Sequence, residues 1–393
     1  MKRIAFLISY VLVVITTSCG DDSVGPDTEI NLNKSSVIMK VSDYDTLKVM
    51  SEIDTNSIVW ESSNPEVVSV DNGLLLALKS GTSEVTASYK GVTSSCEVTV
   101  DLTIFLGGSA KEFEAAYWKN GVINYLTTTG NDEGYYSQVN TIKVLNGQVL
   151  AGGLKMESNS VIWRGEEEII LGEGFEEVQE MAIKGNDVFA IIDNGGLYKW
   201  NENDGPTFLR DEGHITNALF VEGGDVYVGG VVKTGEEYRP AIWKNGDQLI
   251  LDYEQYAYIT DVYVENGDFY SVGLEGIGSG VYQIKYWVNT TKYNLADSPD
   301  AWASCVIVEA GDLYISGHNN DRPAVWINGE ISYYAEQGVT GVVNEMLLFD
   351  GDFYAAGVLR IGFNSVGVVW KNGEELFRTD IFEDANIKSI EIK

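Results

Sequence analysis

A tryptophan followed closely by Asn or Gly recurs seven times in this chain. The copies are Trp118-Lys-Asn-Gly, Trp163-Arg-Gly, Trp200-Asn, Trp243-Lys-Asn-Gly, Trp287-Val-Asn, Trp326-Ile-Asn-Gly and Trp370-Lys-Asn-Gly, at intervals of 45, 37, 43, 44, 39 and 44 residues. Seven of the nine tryptophans stand in this frame, so the period is a property of the fold rather than of chance. Asn-Gly between two short apolar runs favours a two-residue turn with positive φ at both positions, which marks a tight hairpin.

A second landmark precedes each tryptophan. It reads Asp225-Val-Tyr-Val-Gly-Gly230, Asp268-Phe-Tyr-Ser-Val-Gly273, Asp312-Leu-Tyr-Ile-Ser-Gly317 and Asp352-Phe-Tyr-Ala-Ala-Gly357, with weaker copies at Gln148-Val-Leu-Ala-Gly-Gly153 and Asp187-Val-Phe-Ala-Ile-Ile192. Short strands repeating near every forty residues predict a β-propeller, one four-stranded blade per repeat. First strands start near Val139, Val178, Ile215, Ile259, Ala303 and Val343. The first repeat lacks its own, and the last segment, Ile387-Lys-Ser-Ile-Glu-Ile392, is expected to complete it. Residues 102–393 therefore predict a seven-bladed propeller closed by the C-terminal strand, which hides the sheet edges. Tight turns should crowd one rim. Longer loops, after the second and fourth strands, should gather on the other, where binding sites are built on rigid scaffolds. The repeats carry no Gly-His plus Trp-Asp pairing, no sialidase-type Asp box and no complete kelch pattern. They are similar to uncharacterised propeller lipoproteins of Bacteroidetes, a resemblance that implies no mechanism.

The rest of the chain reads as an anchor and a stalk. Met1-Lys-Arg, the apolar residues 4–15 and Thr16-Thr-Ser-Cys19 have the parts of a secretory leader (residues 1–18), too short for an ordinary membrane span. Cys19 after small residues resembles a bacterial lipoprotein box of the relaxed Bacteroidetes kind, with Thr16 where Leu is common. Asp21 and Asp22 just behind it resemble the signal that sends such lipoproteins to the cell surface. The resemblance implies lipidation at Cys19, an outer-membrane anchor and surface display. Residues 19–29 read as a flexible tether. Residues 30–101 show strand runs at regular spacing, among them Leu47-Lys-Val, Ser57-Ile-Val-Trp60 and Val67-Val-Ser-Val, the pattern of a β-sandwich. Trp60-Glu-Ser-Ser-Asn-Pro, Val70-Asp-Asn-Gly, Gly81-Thr-Ser-Glu-Val-Thr-Ala and Cys96-Glu-Val-Thr-Val closely resemble the bacterial immunoglobulin-like domain of group 2, which implies a spacer or adhesion module with Trp60 in its core. The expected fold class is thus all-β.

Composition narrows the chemistry. A formal charge of −33 repels phosphate backbones and anionic membranes, which argues against nucleic-acid partners and leaves the lipid as the only membrane contact. Two histidines, His214 and His318, and three cysteines leave almost no inventory for a zinc site or a Ser-His-Asp arrangement. Cys96 and Cys305 are expected as buried, inert thiols. No cofactor is implied. Calcium at a rim loop is the metal left open, although no Asp-x-Asp-x-Asp-Gly loop is present.

Residues at the start of each first strand should face the mouth of the central channel. His214, Tyr258 and Trp302 stand there on consecutive blades, with Tyr253 and Tyr256 nearby, an aromatic shelf suited to a sugar ring or a peptide side chain. A polar ring follows at Asn140, Gln179, Thr216, Thr260, Ser304, Asn344 and Lys388. Ligand-binding candidates are accordingly His214, Tyr256, Tyr258, Trp302, Asn140 and Asn344. The expected function is a binding head for a glycan or protein at the long-loop face. The rivals are a polysaccharide lyase or glycosidase using Tyr258 or His214 with a carboxylate, and an adhesion role without a small ligand. Acidic runs such as Glu166-Glu-Glu168, Glu176-Glu177 and those within 380–384 are too common here to single out a catalytic pair. Few cations are visible on that rim, Arg210 and Lys388 among them, which argues against an anionic substrate. His318 reads as part of a polar loop.

Overall fold

The computed structural model describes residues 29–41, 43–111, 113–127, 136–155, 159–173, 176–193, 195–211, 215–235, 237–278, 281–296 and 300–393. The leader, Cys19, most of the tether and His214 lie outside the described residues. Among the described residues the chain is all-β, with two single-turn 3-10 helices, Thr55–Ser57 and Ile381–Glu383, and no helix long and apolar enough to cross a membrane. It divides into two compact units, Met1–Asp101 and Leu102–Lys393.

The first unit holds two sheets. One is ordered Ser36–Lys40, Val92–Asp101, Gly81–Tyr89, Val59–Ser62, its first pair parallel; the other is Tyr44–Thr46, Leu74–Ala77, Val68–Asp71. Side chains alternate across a strand, so Val37, Met39, Val85, Val98 and Val100 of one sheet meet Val68, Leu75 and Ala77 of the other in a single core. Trp60 packs against that core and Cys96 is buried within it, unpaired. The expected strand at Leu47-Lys-Val is not formed. The Leu47 N–H bonds to Gly73 O, where the neighbouring hairpin turns away through Asn72 and Gly73 at φ 49 and 81, and Val49 makes only an isolated bridge to Leu32.

The second unit is a propeller-like repeat of seven four-stranded antiparallel sheets. Sheets two to seven each run in chain order from an inner strand: Gln138–Leu145, Val178–Lys184, Ile215–Glu222, Ala257–Glu265, Ala301–Glu309 and Thr340–Phe349. The first sheet comprises Ile104–Ala110, Glu114–Lys119 and Val122–Tyr125, with the C-terminal strand Asn386–Ile392 added as its inner member. Inner strands pack in succession, and Asn386–Ile392 packs against both Gln138–Leu145 and Thr340–Phe349.

The repeated residues explain themselves once the hairpins are seen. All seven repeat tryptophans are buried. Behind them, Asn245, Asn289, Asn328 and Asn372 turn at φ 51 to 53, and each donates its side-chain amide to the strand-two aspartate opposite: Asp225, Asp268, Asp312 and Asp352. Each also accepts the N–H of the residue after that aspartate, so the phrase is a clamp that locks strands two and three at the turn.

Every inner strand carries one β-bulge at the same level. Asn140, Gln179, Asn217, Thr260, Ser304, Asn344 and Lys388 are the extra residues. A bulge re-aims the side chain it carries, here toward the channel mouth. The glycine that ends the strand-two landmark is what lets the bulge form. A Cβ on Gly153, Gly230, Gly273, Gly317, Gly357 or Gly108 would lie 1.8–2.1 Å from a carbonyl oxygen of the inner strand, such as that of Tyr258 above Gly273. The third sheet is bulged at Gln179 with Ile192, not glycine, at this place.

One expectation about loops fails. The connections after the second strands are tight hairpins, as at Asn320-Asp321 (φ 50 and 59) and Gly362 (φ 67), because strands two and three run on through residues taken as loop. Among the described residues, the connections from fourth to inner strand at 251–256, 334–339 and 379–385 are longer.

Candidate functional site

A cavity of about 620 Å³ opens where the bulged residues converge. Tyr256, Tyr258, Tyr282 and Trp302 form one wall, and Asn140, Gln179, Asn217, Thr260, Ser304, Asn344 and Lys388 line the rest. The polar ring is thus the bulge ring, with one correction. Asn217, not Thr216, belongs to it, since Thr216 is buried and donates its hydroxyl to Ile192 O. The described candidates Tyr256, Tyr258, Trp302, Asn140 and Asn344 share this one cavity.

The aromatic wall is continuous. Ring centroids lie 6.0 Å apart for Tyr258–Trp302, 5.9 Å for Tyr256–Tyr258 and 6.2 Å for Tyr258–Tyr282, and Tyr238 extends the array 5.2 Å from Tyr256. Trp302 is 39% exposed, whereas the seven repeat tryptophans are buried and Trp60 packs on the other unit's core. Burial, then Tyr256 and Tyr282, pushes the Tyr258 phenol well above its usual range, so it stays a hydrogen-bond donor at neutral pH.

The bulged asparagines are half committed. Asn140, Asn217 and Asn344 donate their amides to the backbone carbonyls of Val178, Ile259 and Ile387 on the next inner strand. Asn140 also donates to Glu177, which takes Gln138 as well. Their nitrogens tie neighbouring sheets, and the amide oxygens remain for a ligand.

One residue deeper, a second tier clasps the sheets. Asp261 accepts the Val306 N–H at 2.7 Å, Glu345 that of Ile390 at 2.6 Å and Ser389 that of Ile142 at 3.0 Å, while Thr141 donates to Glu180 at 2.9 Å. Lys143 lies 3.5 Å from Glu180 and 3.6 Å from Glu345 in a further cavity of about 380 Å³ that continues the channel below. Burial raises Asp261 to about 7, and it raises Glu345 too, against the pull of Lys143. For Lys143 itself burial opposes the charge, yet Glu180, Glu345 and Glu391 outweigh it and hold the ammonium above its usual value. Cys305, buried and unpaired beside Asp261, has its thiol pushed well up by burial.

Other sequence candidates fall elsewhere. Glu167 and Glu168 pair with Arg164 and Lys155, and Asp380 caps the 3-10 helix through Phe382 N. Arg210 lies against Gly246 at a hairpin turn, not in the mouth. His318 sits in strand Asp312–Asn319 opposite Trp302, and with Arg360 it lines a side cavity of about 400 Å³ that shares Asn344 and Lys388 with the mouth. Sequence reasoning missed Tyr282 and Arg360, which stand on strand stretches read as loop, and Asn217, whose place was given to Thr216 one residue earlier. Among the described residues no cluster of His, Cys, Asp and Glu could hold a metal ion.

No protein-family model matches the chain, and no curated protein matches it. Among solved structures, it is similar to the computationally designed Ika8 protein at 17% identity and TM-score 0.44, covering 74% of this chain and 87% of that one. The WD40 β-propeller domain of Doa1 overlaps at 12% identity and TM-score 0.43, covering 69% and 85%. Both are distant likenesses that bear on no activity.

Proposed function

We propose that residues 102–393 form a seven-bladed β-propeller closed by the C-terminal strand, and that its mouth is a binding site for a glycan. The same reading makes residues 30–101 an immunoglobulin-like spacer of group 2 and Cys19 the lipid-bearing residue of an outer-membrane, surface-displayed lipoprotein. The closure rests on hydrogen bonds that run from Asn386–Ile392 in both directions, Glu345 to Ile390 on one side and Ser389 to Ile142 on the other. One observation carries the function: the exposed Trp302, with Tyr258, faces a ring of amide and hydroxyl groups in the same cavity. A pyranose presents an apolar face and a hydroxyl edge, which fits an aromatic wall set against polar groups.

Catalysis is less well supported. The carboxylates of the floor hold backbone N–H groups or the Thr141 hydroxyl, and Tyr258 is shifted away from the range a general base needs. A protein partner is the second reading. Phe363 and Phe382 are 104% and 86% exposed, and the residues next to them in the chain, Asn364 and Ile381, are joined by a hydrogen bond from the Asn364 amide to Ile381 O.

The test is affinity electrophoresis through gels holding neutral and acidic polysaccharides, with Tyr258→Ala plus Trp302→Ala alongside. Retardation lost in the double variant is expected. No retardation on any gel overturns the glycan reading, and binding of a protein that Phe363→Ser plus Phe382→Ser abolishes would establish the second.

A further inference from the structure

We propose that the glycan taken by this mouth is an acidic saccharide, its ring seated on Tyr258 and Trp302 and its carboxylate held by Lys388 and Arg360. The inference rests on the reading of the mouth as a glycan site and narrows it. In a chain with 26 basic and 59 acidic residues, cations are scarce and most have partners. Lys199, Lys244 and Lys371 pair with strand-two aspartates at 2.8, 2.8 and 2.7 Å, and Lys292 pairs with Glu275 at 2.9 Å. Among the described residues Lys388 and Arg360 make no such pair, and both line the side cavity that joins the mouth through Lys388.

Lys388 is also the bulged residue of its strand, so the backbone aims it at the cavity as it aims Asn140 and Asn344. Its ammonium is held below the usual value by burial, with Glu177 opposing. A half-buried cation with no ion pair at contact distance gains from an anion that accepts its hydrogen bonds. A neutral sugar would cover the same aromatic wall yet leave Lys388 without an ion pair in the same cavity, and that difference gives the preference its sign.

His318 stands beside Lys388 and Arg360 in the side cavity, opposite Trp302 across the strand pair. Burial depresses its pKa, against Asp321 and Asp300, so at neutral pH the ring is uncharged. Acids also border the path: Asp321 lines the side cavity with Arg360 and Lys388, and Glu177 accepts from Gln138 and Asn140, while Asp261 and Glu345 are buried in the floor as clasps. Among the described residues none of them forms an ion pair with Lys388 or Arg360.

The experiment is calorimetric titration of the leaderless protein with oligogalacturonate, oligoglucuronate and oligomannuronate, each beside its carboxyl-reduced neutral counterpart. Binding of at least one acidic probe is expected. Carboxyl reduction should weaken it about tenfold or more, and Lys388→Met should weaken it by a similar factor while leaving the circular-dichroism spectrum unchanged. Arg360→Gln should have a smaller effect, since Arg360 is exposed. Rising salt should weaken the acidic complexes of the unaltered protein, a readout independent of any variant. Equal binding of acidic and neutral partners, or acidic binding indifferent to salt and to Lys388→Met, overturns the charge assignment and leaves the glycan reading standing. If no probe of either kind binds, both fall.

Discussion

Asp261 and Val306 are joined side chain to backbone, carboxylate Oδ2 to N–H at 2.7 Å, from one inner strand to the next. The second oxygen of Asp261 takes the N–H of Val262 at 2.8 Å, so the carboxyl is consumed by the framework. Its burial nonetheless raises its pKa to about 7. The folded protein therefore keeps a proton that an unfolded chain releases near pH 4. Stability from this group is present below that pH and is lost as pH rises toward 7, by at most about 1.4 kcal/mol per pH unit. Asp261→Asn should flatten the decline of the urea midpoint between pH 5 and pH 8. An unchanged slope would show that Asp261 does not titrate in that window.

Gly273 faces the carbonyl of Tyr258, and an added Cβ would sit 2.0 Å from that oxygen. Both atoms belong to backbone, so neither can swing aside. Gly273→Ala should cost at least about 3 kcal/mol of unfolding free energy, at the upper end of ordinary overpacking. Gly267→Ala, at a turn with nothing within 4 Å but φ +86, carries conformational strain alone and should cost about 1 kcal/mol. Equilibrium unfolding of the two variants gives the comparison, and equal costs would mean that the bulge is not held by the glycine.

Deleting residues 386–393 removes the inner member of the first sheet together with Ile387, Ile390 and Ile392, all buried. Ile104–Ala110 is then left with an unpaired edge. The expected product retains the protected amides of the first unit and loses those of the second in hydrogen exchange. Retention of protection across residues 138–378 would sink this account.

Two repeat tryptophans separate packing from hydrogen bonding. The Trp118 indole donates to Glu383 at 2.8 Å, while the buried Trp163 nitrogen has no partner among the described residues. Trp118→Phe should exceed Trp163→Phe in cost by about 1–2 kcal/mol, since the first change also removes a bond to a charged acceptor. Thermal unfolding of both variants decides, and equal losses would assign no net value to the indole–carboxylate bond.

The sequence made the repeat frame visible because its signals are local. Asn-Gly turns, the Asp that meets each Asn and a buried tryptophan all lie within one hairpin, and the C-terminal strand announced itself by the missing first strand of the opening repeat. Tyr256, Tyr258 and Trp302 were readable as mouth residues by counting from those strands. The bulges were not readable. A one-residue irregularity depends on pairing across the ladder, as of Gly273 with Ile259. Counting from the strand starts still reached six of the seven bulged residues, and Thr216 was placed where Asn217 stands because that strand was counted from Ile215, one residue before the partner of Gly230. Asn140 and Asn344 were found, but their work as inter-sheet ties depends on strands 38 and 43 residues distant. Tyr282 and Arg360 escaped because residues read as loop are strand ends. Nothing in one hairpin's sequence reveals what a neighbouring sheet brings beside it.

The seven bulges have a consequence for how such a molecule changes. Glycine and carbonyl fix the backbone at six of the bulges, and the buried tryptophan and the Asn–Asp clamp secure the hairpins some distance away. The side chain at the bulge is left free of the folding problem wherever it is not, like the asparagines, a tie to the next strand. Gln179, Ser304 and Lys388 thus occupy sockets whose contents can be rewritten singly, whereas Thr260 donates its hydroxyl to Val272 O, and a lineage or a designer could shift the chemistry of the mouth without renegotiating the sheets.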